Sequence, residues 1–189
     1  MKAKRKSIKA KLNLTPKADP SILNAAKLVE LALKEDLGKS IGKGDVTSLA
    51  IIPKAKKIKA QIRVKDHCVL CGMDLARKVV ETYEKLAKVK KKDKVKFEIL
   101  RRDGSFMQKH EVVATLEGPA HTILACERTM LNFLARLSGV STAANRFGER
   151  LMMHKVKLLD TRKTLGGYRG LEKYAERVGG GNKIGRAHV

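Results

Sequence analysis

The densest group of chemically capable side chains in the sequence is Asp160-Thr161-Arg162-Lys163-Thr164. It follows directly on the short apolar run Val156-Lys157-Leu158-Leu159, which reads as a buried strand. In a parallel α/β barrel the carboxyl end of a strand is where ligands meet the groups that act on them, so this run is well placed to hold a polyanion. Arginine presents a planar fork to a carboxylate, and lysine a compact charge to a phosphate. The same residues also read as plain structure. Asp160 and Thr161 can turn the chain and cap the following helix, leaving Arg162 and Lys163 in solvent. Spacing alone does not separate the two readings.

Other motifs carry less. Cys68-Val69-Leu70-Cys71 has the C-x2-C spacing of a metal or redox pair, but no second pair accompanies it and it ends a strand pattern. Buried packing is the expectation, and no zinc. The segment Ile41 to Ser48 superficially resembles a phosphate-binding loop. Gly38 and Gly42 are four residues apart where that loop needs five, however, and Lys43 is followed by Gly44, so a Walker motif is excluded. His67, His110, His121 and His154 fall in no ligand spacing and are given no role.

Charge is the compositional anomaly: 42 Lys+Arg against 19 Asp+Glu give a formal net charge of +23 at pH 7. Much of it lies in a leading arm (Lys2, Lys4, Arg5, Lys6, Lys9, Lys11) and in a second run of lysines from Lys85 to Lys96, read as a helix end and a loop facing solvent. Such a surface prefers anions. The aromatic residues are four Phe, three Tyr and no Trp, and none interleaves with the lysines. A stacking platform for bases is thus absent, and nucleic acid is not the expected partner. No apolar run reaches the length of a membrane span, and no apolar stretch follows the basic N-terminus as a secretory signal requires. With three cysteines, an odd number, the expectation is a cytoplasmic protein with reduced thiols and no membrane contact.

The elements that must position these residues can be traced by periodicity. Asp19-Pro20 signals the start of a helix carrying Ile22, Ala25, Ala26, Val29, Ala32 and Leu33, which Gly38 ends. Residues 58–70, 95–100 and 111–116 read as strands, with a helix from Asp74 to about Lys88 between the first two. Residues 120–153 are helical in period, with a break expected near Ser138-Gly139. After the 156–160 strand, residues 170–178 read as a helix that stops at Gly179-Gly180-Gly181. The fold class expected is α/β: an N-terminal α+β sandwich domain, then the start of an α/β barrel. The domain limits expected are a basic arm over 1–14, the sandwich over 15–118, linking helices and the first strand-helix unit over 119–181, and a tail over 182–189.

Glu127-Arg128-Thr129-Met130-Leu131-Asn132, Arg136-Leu137-Ser138-Gly139, Leu159 to Thr164, Arg169, Leu171-Glu172-Lys173-Tyr174-Ala175 and Gly179-Gly180-Gly181 occur in the order of the quinolinate phosphoribosyltransferase signature, which the chain resembles. Ala32 to Gly38, Gly44 to Ser48 and Leu116 to Pro119 also match in order. The resemblance implies a seven-stranded barrel after the sandwich domain, with an active site completed by a neighbouring subunit in a homodimer or higher oligomer. It implies transfer of a phosphoribosyl group from phosphoribosyl pyrophosphate to quinolinate with Mg2+, giving nicotinate mononucleotide, pyrophosphate and CO2 on the way to NAD. Carried over by motif, Arg128 reaches into the partner's site, while Thr161, Arg162 and Lys163 bind quinolinate carboxylate and phosphate groups. No residue is assigned as acid, base or nucleophile.

The departures matter too. After the triple glycine the family has an Asn-His-Arg segment and further barrel strands, whereas this sequence reads Asn182-Lys183-Ile184-Gly185-Arg186-Ala187-His188-Val189. The expectation is a chain truncated within its barrel, lacking about the last third of a family member and inactive alone. The segment 103–111 lacks the glycine usual in that family turn, reading Lys109-His110-Glu111. Alternatives are a non-catalytic binding or assembly fragment, a basic nucleic-acid-binding protein, and a relative acting on another substrate, such as the molybdenum-transport pyrophosphorylase-like proteins.

Overall fold

The structure, a computed structural model, describes residues 25–154 and 156–181. The basic arm, the helix start at Asp19-Pro20 and the tail after Gly181 lie outside the described residues. Within them the chain forms helices α1 (Ala26–Leu37), α2 (Val46–Ile51), α3 (Met73–Leu86), α4 (Ala120–Leu151) and α5 (Arg169–Val178), and strands β1 (Lys57–Arg63), β2 (Cys68–Val69), β3 (Lys96–Ile99), β4 (Phe106–Met107) and β5 (Val112–Pro119). Three short 3-10 turns join them at Ile41–Lys43, Lys91–Asp93 and Met152–His154.

The main sheet is antiparallel in the order β1-β5-β3, with Lys59 opposite Glu117 and Lys96 opposite Glu117 on the other side. Alternation along β1 sends Lys57, Lys59, Gln61 and Arg63 outward and Ile58, Ala60 and Ile62 inward, the period of a half-buried strand. On the helical side, α3 buries Met73, Ala76, Val79, Val80 and Tyr83, and α4 buries Ile123, Met130, Phe133, Leu134 and Leu137. These residues recur at three- and four-residue steps, so each helix has one apolar stripe, and the stripes meet in a single core.

Four expectations need correction. The strand over 58–70 is two strands: the chain bends at 64–67, and Cys68–Val69 pairs with Phe106–Met107 in a separate two-stranded ladder. The polar Lys65-Asp66-His67 cannot continue a buried alternation, and β4, two residues long, is too short to show a period. Residues 41–48, expected as a loop, hold a 3-10 turn and the start of α2, where the Asp45 carboxylate accepts from Ser48 N at 3.1 Å. Thirdly, α4 runs unbroken for 32 residues through Ser138-Gly139.

The cause of that continuity lies across the core from the helix. Ser138 Oγ accepts from Cys71 N at 3.0 Å, Ser141 Oγ donates to Val69 O at 2.6 Å, and Thr142 Oγ1 accepts from Val69 N at 3.0 Å. Side-chain hydroxyls of α4 thereby satisfy backbone groups of 69–71 that have no strand on that side. Tertiary contact of this kind outweighs the roughly 1 kcal/mol penalty of a mid-helix glycine.

The apolar run 156–159 is not a ladder strand either. Only Leu159 makes an isolated bridge, and Val156 and Leu159 are exposed. A parallel barrel strand is stabilised by strands on both sides, and no such neighbours occur among the described residues.

A candidate anion-binding loop and its supports

Helix α5 positions the loop. Leu171, Tyr174, Ala175 and Val178 form its buried stripe against α4, and the Phe133 and Tyr168 rings stack with centroids 5.9 Å apart just before it begins. At its other end a Cβ on Gly179 would lie 2.2 Å from Ser141 O, so only glycine allows this approach to α4. Its polar side turns toward residues 160–165.

Two adjacent side chains of α5 hold the two ends of that segment. Lys173 Nζ donates to Asp160 Oδ2 at 2.7 Å, and Asp160 is buried. Glu172, also buried, accepts from Leu165 N through Oε2 at 3.1 Å, and its Oε1 receives Arg136 of α4 through Nε at 3.1 Å and through Nη2. Between the anchors, Thr161 Oγ1 accepts from Lys163 N at 3.1 Å and Thr164 N donates to Arg162 O at 3.1 Å. Thr161, Arg162 and Lys163 are exposed. Asp160 is held as a structural residue and Arg162 and Lys163 are exposed to solvent, an arrangement common to both readings of the sequence.

The next residue of α5 reaches the sheet domain. Tyr174 Oη donates to Asp103 Oδ2 at 2.8 Å, and the same carboxylate accepts from Gly72 N at 2.8 Å and Met73 N at 3.0 Å at the start of α3. Burial pushes the Asp103 carboxyl up, opposed by these three donors. It also pushes the Tyr174 hydroxyl up, with Asp103 adding to the effect. Gly72 has φ 105°, and a Cβ there would lie 3.0 Å from Leu137 Cδ1, so glycine is needed for α3 to begin where Asp103 can cap it.

Arg128 is on α4, exposed and ion-paired with Asp36 of α1. It lies eight residues before Arg136, about 12 Å along the helix axis. Thr161, Arg162 and Lys163 are consecutive on the exposed loop, whereas Arg128 is engaged with Asp36 of α1. A groove beside the loop is lined by Val140, Ala144, Phe147, Leu158 and Glu176. Burial and then the nearby Asp160 charge push the Glu176 carboxyl up.

Of the two paired cysteines, Cys71 is fully buried and Cys68 half-buried, and burial pushes both thiols up. Among the described residues no group of three or more His, Cys, Asp or Glu side chains could hold a metal ion. The cationic loop has the charge and donors to meet carboxylate or phosphate. Glu172 and Lys173 fall in the signature stretch Leu171 to Ala175 but, like Asp103, were given no role by the sequence. Their partners lie 7, 13 and 71 residues away, which no local pattern reveals.

Two family models match the chain in tandem: the N-terminal domain of quinolinate phosphoribosyl transferase over residues 45–138 and its C-terminal domain over residues 140–188. The chain belongs to the quinolinate phosphoribosyltransferase family. The two matches meet inside α4. Among curated relatives, it is 36% identical over 152 residues to a probable carboxylating nicotinate-nucleotide pyrophosphorylase of Methanocaldococcus jannaschii, covering 79% of this chain and 50% of the relative. It is 35% identical over 159 residues to the protein of the same description in Bacillus subtilis, covering 84% and 50%. Among solved structures, the nicotinate-nucleotide pyrophosphorylase of Francisella tularensis superposes with a TM-score of 0.74 at 32% identity, over 88% of this chain and 55% of that one. The chain spans about half the length of the curated relatives it matches, less than the two thirds that the motifs imply. Family membership accounts for the α/β mixture of the fold, a sheet domain leading into a second unit that follows α4. No helix among the described residues is long and apolar enough to cross a membrane. Relatives from Arabidopsis thaliana and Oryza sativa are described as chloroplastic.

Proposed function

We propose that this chain serves phosphoribosyl transfer from phosphoribosyl pyrophosphate to quinolinate, with loss of CO2 and formation of nicotinate mononucleotide and pyrophosphate, in the cytoplasm. The observation that carries the reading is the exposed pair Arg162 and Lys163 on a loop anchored at both ends. Quinolinate is a dianion, and binding it asks for at least two cationic partners, one of them able to form a paired hydrogen bond with a carboxylate. Displacing pyrophosphate from the anomeric carbon builds positive charge on the ribose and negative charge on the leaving group. Fixed cations favour the latter as it develops. Thr161 contributes its hydroxyl to the loop's own order, and Arg162 and Lys163 take the anion. Mg2+ enters this scheme as a companion of phosphoribosyl pyrophosphate rather than as a resident of the described residues.

Arg128 completes a second copy's site in a homodimer or higher homo-oligomer. Its exposure supports a role between subunits. The test uses the full-length protein. Arg162→Ala should raise KM for quinolinate by about 30-fold or more, the loss of one charged hydrogen bond of about 2–3 kcal/mol. Mixing full-length Arg128→Ala with full-length Arg162→Ala, each impaired alone at a quinolinate concentration below its raised KM, should restore activity in hybrid sites. An unchanged quinolinate KM in Arg162→Ala removes that residue from the site. Subunit exchange without recovered activity removes Arg128 from the partner's.

A further inference from the structure

Residues 161–164 carry every cation assigned to the loop; within it Thr161 Oγ1 accepts from Lys163 N, Thr164 N donates to Arg162 O, and Thr164 Oγ1 accepts from Arg169 of α5 at 3.4 Å, while both ends are held by charged side chains of α5. The order of the loop is imposed from α5. Lys173 grips the residue just before it, Asp160, through a buried carboxylate at 2.7 Å. Glu172 grips the residue just after it, Leu165, through a backbone N–H at 3.1 Å, while Arg136 of α4 holds the other oxygen of the same carboxylate. Because Glu172 and Lys173 are neighbours in one helix turn, the distance between the two grips is set by helix geometry and not by the loop. The helix is itself fixed by the following residue, Tyr174, whose hydroxyl meets Asp103 of the sheet domain at 2.8 Å.

We infer that Glu172 and Lys173 are positioning residues for the anion site, acting through Leu165 and Asp160 to hold Arg162 and Lys163 at the separation a dianionic substrate requires. The inference rests on the reading of Arg162 and Lys163 as substrate-binding. A planar, bidentate contact tolerates little misplacement, so a loop freed at one end keeps its charges but loses the geometry that makes them selective. Lys173→Met removes the lysine's hold on Asp160 and Glu172→Gln weakens the Leu165 end, because the amide can still accept one hydrogen bond but no longer attracts Arg136 as an anion. Lys173→Arg preserves the charge and is the conservative control.

The experiment takes the full-length protein and these three variants, measures KM for quinolinate and for phosphoribosyl pyrophosphate separately, and follows amide hydrogen exchange across residues 156–181. The expected result for Lys173→Met is a quinolinate KM raised between about tenfold and a hundredfold, a cost of the size that small misplacements bring. KM for phosphoribosyl pyrophosphate and the melting temperature should stay near the parent's, and amides 161–165 should exchange faster while those of α3 do not. Glu172→Gln should shift the same quantities less, and Lys173→Arg should stay near the parent. Parent-like quinolinate KM and exchange in folded Lys173→Met and Glu172→Gln overturn the inference, as does a uniform loss in which both KM values rise and α3 loosens equally. If the parent itself does not turn over quinolinate, the substrate reading fails. The exchange measurement then decides the clamp alone, faster exchange confined to 161–165 upholding it and parent-like exchange sinking it.

Discussion

Asp103 shows how one side chain can tie two parts of a molecule together. Its carboxylate accepts from the first two N–H groups available at α3 and from the Tyr174 hydroxyl of α5. Removing it leaves buried donors unpaired, so Asp103→Ala should cost about 3 kcal/mol in urea unfolding of the protein. The pH dependence has a definite sign. Burial, the largest cause, raises this carboxyl above its ordinary value of 3.8, outweighing the three donors, with the Asp74 charge adding to the rise. A raised pKa in the folded state means that folding favours the protonated form. The stabilising contribution is therefore full below about pH 4 and is lost as pH rises through the raised value. Asp103→Asn cannot titrate, so the stability of the parent relative to Asp103→Asn should fall across that window and be flat above it. A difference that rises with pH instead would contradict the assignment. None of this was visible in Asp103-Gly104-Ser105 as text, because the hydroxyl it serves is 71 residues away. The cationic run Arg162-Lys163, by contrast, was legible at once, since its chemistry is local.

At the level of elements, the strongly periodic helices were readable and the short or irregular pieces were not. α3 and α5 were anticipated within two residues at each end because their buried residues repeat at helical steps over several turns. β2 and β4, at two residues each, owe their existence to each other and to the hydroxyls of α4 rather than to any pattern of their own. The turn at 108–111 is a related case. The sequence lacks the expected glycine, yet the turn forms, with His110 at φ 72° and its N–H donating to Val64 O at 2.7 Å. A side chain with a Cβ is strained in that left-handed region, and a β-branched one more so. His110→Val should therefore destabilise the protein by about 1–2 kcal/mol. His110→Gly should match the parent or exceed it by up to about 1 kcal/mol, since relief of strain is offset in part by the freedom of glycine when unfolded. Thermal unfolding of the two variants beside the parent checks both. Equal stability of the valine and glycine forms would show that the backbone there relaxes freely.

For the molecule as a whole, the division of labour follows the core. The sheet domain, α3 and most of α4 bury a continuous apolar set, so the front of the chain has what an autonomous fold requires. Beyond Ala144 the picture changes: Phe147, Met152, Met153, Val156, Leu159 and Leu165 are all exposed and follow one another along the path from the end of α4 to the loop. Scattered exposed apolar residues are ordinary, but a run of them on one path is a surface that favours contact. The apolar run 156–159 belongs to this surface, since a barrel strand packs only when the strands beside it close the barrel. Arg162 and Lys163 stand next to it with no opposing wall among the described residues, and fixed charges in open water attract a substrate far less than in an enclosed, low-dielectric site. Residues 1–189 on their own should therefore self-associate in proportion to concentration and give no turnover when supplied with quinolinate, phosphoribosyl pyrophosphate and Mg2+. Light scattering coupled to size exclusion reads the first outcome and nicotinate mononucleotide formation the second. The electrostatics add a discriminating arm: a net charge of +23 opposes association, so screening by salt should strengthen it if apolar contact is the cause. A chain that stays monomeric at high salt, or turns over substrate above a no-enzyme control, would show that the exposed path and the open loop are not what limits it.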